Sequence, residues 1–251
     1  MGKHAKDEWQ TEKADLEGYL ARIGHPAVPG PSVAALRSLH EAHVQAIPFE
    51  NVDVVLGQHP GTELDTIYDK LVRRRRGGYC FEHALLFAAV LENLGFDVER
   101  RMARVEPDGS GYRTHMMLRV RVEGADHLAD VGFGAGMLSP MPFEDGAVVD
   151  QAGWRHRLVR NGPLWNLEKA GADGGAARLR RAAAAVHRLR GSAPLRRHPP
   201  ALAVRRQARG VPAGAGGEPR PGRRRAHRGA SEQEFATLRK TSETAADSSL
   251  T

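Results

Sequence analysis

Residues 75–95 read RRGGYCFEHALLFAAVLENLG, and this stretch decides how the rest of the chain is read. Gly77 and Gly78 allow a tight backbone entry. Beyond them Leu85, Leu86, Val90 and Leu94 recur at helical spacing, and Gly95 ends the pattern. The spacing therefore predicts a helix that opens at Cys80, the only cysteine of the chain. Its first N–H groups have no intrahelical acceptor, so a thiolate at that end gains from them and from the helix dipole. A lone cysteine cannot form an intramolecular disulfide or supply a cysteine-rich metal site, which leaves two readings, inert packing or a reagent.

Upstream the periodicity stays helical. Leu16, Tyr19, Leu20 and Ile23 mark a helix from Asp15 that stops at Gly24, with Pro26 beyond it. Ser32 is a candidate N-cap for a second helix bearing Leu36, Leu39 and His43, which Pro48 terminates. Asp65 is placed to cap a third, through Leu71. Downstream of Gly95 the period changes to two. Val98 to Val105 reads as a strand, and Met116, Leu118, Val120 and Val122 alternate with His115, Met117, Arg119 and Arg121 before a Glu123-Gly124 turn. His127 to Phe133 is the returning strand, and Phe143 to Val149, His156 to Val159 and Leu164 to Leu167 continue the β pattern. Helices first and an antiparallel sheet or small barrel afterwards make an α+β fold.

The hairpin gives Cys80 its candidate partners. With Glu123 and Gly124 as the two central turn residues, Val122 faces Ala125 and His115 lies opposite Gly132. Asp130 is two residues from Gly132, on the face His115 shares, at a diagonal separation of about 7–8 Å that both side chains can bridge. Asp130 can then accept from one imidazole nitrogen and leave the other for Cys80, giving nucleophile, base and orienter. Taken singly, His115 reads more readily as a core histidine and Asp130 as a strand-end carboxylate than as catalytic groups. Asp126 and His127 compete but sit in the turn, far along the ladder. His83 packs on the nucleophile's helix or faces the cleft, and His40 with His43, three residues apart, forms a metal-ligand pair for which no third ligand is evident.

Composition bounds the rest. The 251 residues are 41% hydrophobic and 27% charged, enough apolar material for a real core, and no apolar run approaches the roughly 20 residues of a membrane span. The first residues lack an apolar signal region, so a cytoplasmic location is expected. The net charge of +7 is unevenly spread. Residues 1–170 are mildly acidic, whereas 171–230 hold 15 Arg against Asp173 and Glu218, with 15 Ala, 10 Gly, 6 Pro and no Phe, Tyr, Trp, Ile or Met. Such a segment buries too little apolar surface to offset the entropy of ordering; disorder, or at best a short Ala-rich helix near Ala177 to Leu189, is expected. It reads either as a basic arm or, preferred here, as GC-rich DNA translated out of frame. Four regions result: 1–95, helical and carrying the nucleophile; 96–170, a β-barrel or sheet carrying His and Asp; 171–230, atypical; and 231–251, a short helix and tail.

Four stretches in register resemble the arylamine N-acetyltransferase family: IPFENVD at Ile47 to Asp53, RRGGYCFEH at Arg75 to His83, THMMLRV at Thr114 to Val120 and LADVGFG at Leu128 to Gly134. The likeness covers roughly Leu16 to Leu167. The resemblance implies a helical first domain, a β-barrel second domain and an α/β lid, with a cysteine-protease-like triad of Cys80, His115 and Asp130. It implies acetyl-CoA as co-substrate, no metal, an aromatic amine or hydrazine as acceptor, a ping-pong reaction through acetyl-cysteine, and a part in xenobiotic metabolism. By the same resemblance Phe49, Phe133 and Gly134 are substrate-binding candidates, and Glu50 and Arg75 form an ion pair bracing the nucleophile loop.

Two departures stand out. Ala84 replaces an Asn that many relatives carry, and residues 171–230 do not resemble the lid domain, which is therefore atypical or degraded. The alternatives are a Cys-His-Asp hydrolase or transglutaminase-like enzyme, or an inactive relative with a basic nucleic-acid-binding arm. No aromatic residues interleave with those arginines, so nucleic acid is not expected as a partner; nor is a membrane.

Overall fold

The computed structural model describes residues 9–27, 30–105, 113–133, 136–171 and 181–183. All belong to the unit Met1–Gly210; the second unit, Val211–Thr251, lies outside the described residues, as does the short helix read within 231–251. Helices come first: α1 (Leu16–Ile23), α2 (Val33–Ala46), α3 (Val52–Leu56), α4 (Leu64–Tyr68) and α5 (Cys80–Asn93). Local chemistry sets their ends. The Asp15 carboxylate accepts from the N–H groups of Glu17 and Gly18, Ser32 Oγ accepts from Ala35 N–H, and Gly24 closes α1 in the left-handed conformation.

Among the helices, α3 is not foreseen by the sequence reading, and two further stretches depart from it. The third helix starts at Leu64 and ends at Tyr68, and Asp69–Arg73 continues as one wide turn with Arg74 N–H donating to Asp69 C=O at 2.8 Å. That turn carries Lys70 inward. Secondly, α5 is buried on every side from Cys80 to Glu92 rather than along one stripe, because its sequence is apolar nearly all round.

The strands β1 (Asp97–Val105), β2 (His115–Val122), β3 (Ala125–Ala129), β4 (Met141–Pro142), β5 (Val148–Gln151), β6 (Trp154–Asn161), β7 (Leu164–Gly171) and β8 (Arg181–Ala183) form one antiparallel sheet in the order β4-β3-β2-β1-β8-β7-β6-β5. Among the described residues this sheet is open, not a closed barrel. The returning strand is shorter than expected, and the Phe143 to Val149 stretch divides around a turn before β5. Within the Arg-rich segment, Arg181–Ala183 forms a strand between β1 and β7, where the sequence suggested disorder or helix. Backbone ladder bonds need no apolar side chains, which is why composition did not reveal it.

The hairpin register matches the expectation near the turn, where Val122 pairs with Ala125 and Leu118 with Ala129 around Glu123 and Gly124 at φ 51° and 79°, but β3 ends at Ala129, so the expected pairing of His115 with Gly132 does not form. Met116, Leu118, Val120 and Val122 pack with α5 and the other helices in one core, while Met117 joins Leu128, Met141, Phe143, Leu158 and Leu167 in a second cluster. The change of pattern at Gly95 is therefore a change of element type within a shared core.

Candidate active site

The loop before Cys80 is built by close backbone approach. Gly78 N–H donates to Pro48 C=O at 3.2 Å and Glu50 N–H to Gly78 C=O at 2.8 Å, so the IPFE segment lies bridged to the residues before Cys80. A Cβ at Gly77 would stand 2.2 Å from the Pro48 carbonyl oxygen, which only glycine avoids. Beneath the loop Glu82 accepts from Tyr79 N–H at 3.0 Å, one arm of a capping box that starts α5. Its carboxylate also takes Lys70 Nζ at 3.0 Å on both oxygens, and Lys70 reaches Asp53 Oδ2 at 2.9 Å; Lys70 and Glu82 side chains are each 1% exposed. The sequence reading missed Lys70. Its place among the buried Ile67, Leu71 and Val72 was the available signal, masked by the four arginines that follow.

The ion pair assigned to Glu50 and Arg75 is corrected. Arg76 Nη2 holds Glu50 at 2.7 Å and Asp53 at 3.0 Å. Arg75 is exposed, in the left-handed conformation at φ 52°, and the chain reversal there turns the next residue, not Arg75, toward Glu50.

Cys80, at the first position of α5, is 6% exposed, with Sγ 3.5 Å from the carbonyl oxygen of Thr114, the residue before His115. Gly132 seats the loop after β3 directly on it: a Cβ there would stand 2.8 Å from Cys80 Cα and from its carbonyl oxygen. His115 Nε2 meets Asp130 Oδ2 at 2.8 Å, both groups buried, and Asp130 Oδ1 accepts from Gly132 N–H at 3.2 Å. Burial pulls the His115 imidazolium down, but the charge and hydrogen bond of Asp130, followed by the hydrogen bond and charge of Cys80, outweigh it and push His115 up to about 10. With Nε2 committed to Asp130, Nδ1 is the nitrogen left for Cys80. The structure thus brings Cys80, His115 and Asp130 to one place.

The Phe133 ring stands edge-on to His115, centroids 5.0 Å apart, and Phe49 is 45% exposed beside the loop. Gly134 lies outside the described residues. The competing Asp126 is paired with Arg119. His83 packs: its Nδ1 meets His43 Nε2 at 2.8 Å, and His43 Nδ1 takes Tyr19 Oη at 2.7 Å. His40 bonds Leu138 C=O and Asp130 N–H. Both ring nitrogens of His40 and His43 are therefore engaged by protein, which displaces the reading of them as metal ligands. Among the described residues no group of three or more His, Cys, Asp or Glu could hold a metal ion, and no helix is long and apolar enough to cross a membrane.

A family model described as N-acetyltransferase matches residues 32–178, and the arylamine N-acetyltransferase of Mycolicibacterium smegmatis is 46% identical over 158 residues, 59% of this chain and 57% of the relative. The chain belongs to the arylamine N-acetyltransferase family. The arylamine N-acetyltransferase / N-hydroxyarylamine O-acetyltransferase of Salmonella typhimurium is 38% identical over 157 residues, 61% of this chain and 56% of the relative. The chain spans little more than half the length of these family members. Among solved structures, the arylamine N-acetyltransferase from Mycobacterium abscessus is similar with a TM-score of 0.70 at 34% identity, covering 82% of this chain and 74% of that one. The Mycobacterium marinum enzyme in complex with CoA gives 0.59 at 37% identity, covering 67% and 63%.

Proposed function

We propose that this chain is an acetyl-CoA-dependent arylamine N-acetyltransferase that carries the acetyl group on Cys80. The observation that carries this reading is the His115–Asp130 pair, buried and 2.8 Å apart, with its second imidazole nitrogen left for the only thiol. Cys80 gives its proton to His115 Nδ1, and Asp130 stabilises the imidazolium that results. The thiolate attacks the thioester carbonyl of acetyl-CoA. First-turn N–H groups of α5 stabilise the tetrahedral oxyanion. The carbon–sulfur bond to CoA breaks, and His115 returns the proton to the departing CoA sulfur.

In the second half the nitrogen of an aromatic amine or hydrazine attacks the acetyl-cysteine carbonyl, His115 takes the nitrogen's proton, and Cys80 leaves as thiolate. Phe133, packed edge-on against His115, and the exposed Phe49 supply apolar surface for a flat aromatic acceptor. Glu50 with Arg76, and Glu82 with Lys70, hold the nucleophile loop and touch no reactant. A cytoplasmic location belongs to the same proposal.

The test is steady-state release of free CoA from acetyl-CoA with an aromatic hydrazine. Parallel double-reciprocal lines are expected as the two substrates are varied, with no release from the Cys80→Ala chain. Intersecting lines would overturn the double displacement, and turnover by Cys80→Ala would overturn the assignment of the nucleophile. Absence of CoA release beside hydrolysis of an amide or peptide would favour the hydrolase or transglutaminase-like reading.

A further inference from the structure

The backbone that carries Asp130 is gripped by a residue to which the proposed chemistry gives no part. His40, on α2, is completely buried, its ring edge-on to Phe87 with centroids 5.9 Å apart. Its Nε2 accepts from Asp130 N–H at 3.2 Å and its Nδ1 donates to Leu138 C=O at 3.1 Å. A backbone N–H can only donate and a carbonyl can only accept, so these partners admit one form of the ring, the neutral Nδ1–H tautomer. An imidazolium would set N–H against N–H. Burial, opposed by the Leu138 carbonyl and by the charges of Asp130 and Glu41, lowers His40 to about 4, which keeps that neutral form at ordinary pH.

The carbonyl partner is itself pinned from the far side. Gln151, at the end of β5 and buried, accepts from Leu138 N–H at 2.5 Å and Ser139 N–H at 2.9 Å, and donates to Ser139 C=O at 3.0 Å. His40 is thus wedged between two backbone segments. One is the fixed strap of Leu138 and Ser139, and the other delivers the carboxylate to His115.

We propose that His40 is a positioning residue: by accepting the Asp130 N–H while donating to the Leu138 carbonyl, it fixes the backbone from which the Asp130 carboxylate reaches His115. The inference rests on the reading of Asp130 as the group that orients His115. Its physical basis is angular. A carboxylate two bonds from its Cα follows any rotation of that backbone, and hydrogen bonds weaken steeply once bent. The groups facing His115 are Asp130 and Cys80, while Asp130 is also faced by His40 and, through its charge, by His83.

The experiment follows the His115 ring ¹⁵N signals with pH in the full chain, assigned by their loss in His115→Gln, together with kcat and acceptor KM. His40→Asn keeps a donor for Leu138 but has no acceptor that reaches Asp130 N–H; His40→Gln places an amide oxygen where Nε2 stands. The His115 midpoint is expected to fall by at least about one pH unit in His40→Asn. The expected loss in kcat is roughly 10-fold to 100-fold, with acceptor KM unchanged and most of both effects recovered in His40→Gln. A folded His40→Asn chain with an unshifted midpoint overturns the proposal, as does a His40→Gln chain no better than His40→Asn. Asp130→Asn in the same measurement separates the two ideas: if it lowers the midpoint and His40→Asn does not, only the His40 proposal falls. If Asp130→Asn also leaves the midpoint in place, the orienting role of Asp130 falls, and that of His40 with it.

Discussion

Two buried ion pairs flank Cys80, and they differ in what each has left to give. On the helical side Lys70 and Glu82 meet at 3.0 Å; on the sheet side His115 and Asp130 meet at 2.8 Å. Lys70 spends its donors on Glu82 and Asp53, and Glu82 spends its oxygens on Lys70 and the Tyr79 N–H, with His59 Nε2 3.3 Å from one of them. An ammonium so enclosed has no donor over and no acceptor at all. The imidazole of His115 has two nitrogens and commits only Nε2 to its carboxylate. The first pair can hold the loop before Cys80 but has no atom left to exchange a proton with it, whereas the second keeps a nitrogen that, in the function proposed above, does so. Similar distance and similar burial therefore carry different functions, set by the number of hydrogen-bonding atoms on the cation.

If that division is right, substitutions on the two sides should fail in different ways. The largest effect belongs to Cys80 itself: Cys80→Ala should lower CoA release by about 10⁴-fold or more with an unchanged melting midpoint. Next comes Asp130→Asn, which should reduce kcat by roughly 10³- to 10⁴-fold in a chain that still folds, because His115 loses the anion that stabilises its charged form. Lys70→Met should break the symmetry. It takes the ammonium from the buried Glu82 carboxylate and should cost about 3–5 kcal/mol in denaturant unfolding, while the fraction that folds retains turnover within about 10-fold. A Lys70→Met chain as stable as the parent, or folded but inactive, would erase the distinction.

The pH dependence of stability sharpens the comparison further. His115 holds its proton up to about 10 in the folded chain, against about 6.5 when unfolded. Its contribution is therefore complete below about pH 6.5, shrinks as pH rises through that window, and is gone above about 10. Denaturant midpoints should fall from pH 6.5 to 10, and His115→Gln should flatten that slope. The smallest effect concerns the outer brace: Arg76→Ala should cost roughly 0.5–1 kcal/mol and Arg75→Ala nothing measurable, since Arg76 is the one of these two arginines that meets Glu50 and Asp53.

The sheet side of this picture was legible in the sequence because a two-residue turn fixes register. Once Glu123 and Gly124 are placed, the face shared by His115 and Asp130 follows from a period of two; the ladder has that register from Val122–Ala125 to Leu118–Ala129, and Asp130 follows directly after β3. The helical side was less legible. Helical periodicity locates α5 and the cysteine at its head, yet the wide turn Asp69–Arg73 breaks that period and rotates Lys70 inward, which no repeat could foretell. Arg75 and Arg76 differ only in a backbone angle, so composition could not choose between them. His40 and His43 invited a metal reading because spacing shows which residues share a helix face and not which carbonyls and N–H groups wait opposite. The strand Arg181–Ala183 escaped notice because ladder pairing through backbone groups leaves no mark in composition.

The central claim is that Cys80 takes the acetyl group before any acceptor arrives. Mass spectrometry of the intact chain mixed with acetyl-CoA alone tests it directly. A single acetyl adduct on Cys80 is predicted, formed with stoichiometric release of CoA and discharged when an aromatic amine or hydrazine is added. CoA released only when both substrates are present, with Cys80 unmodified at every time point, would contradict it.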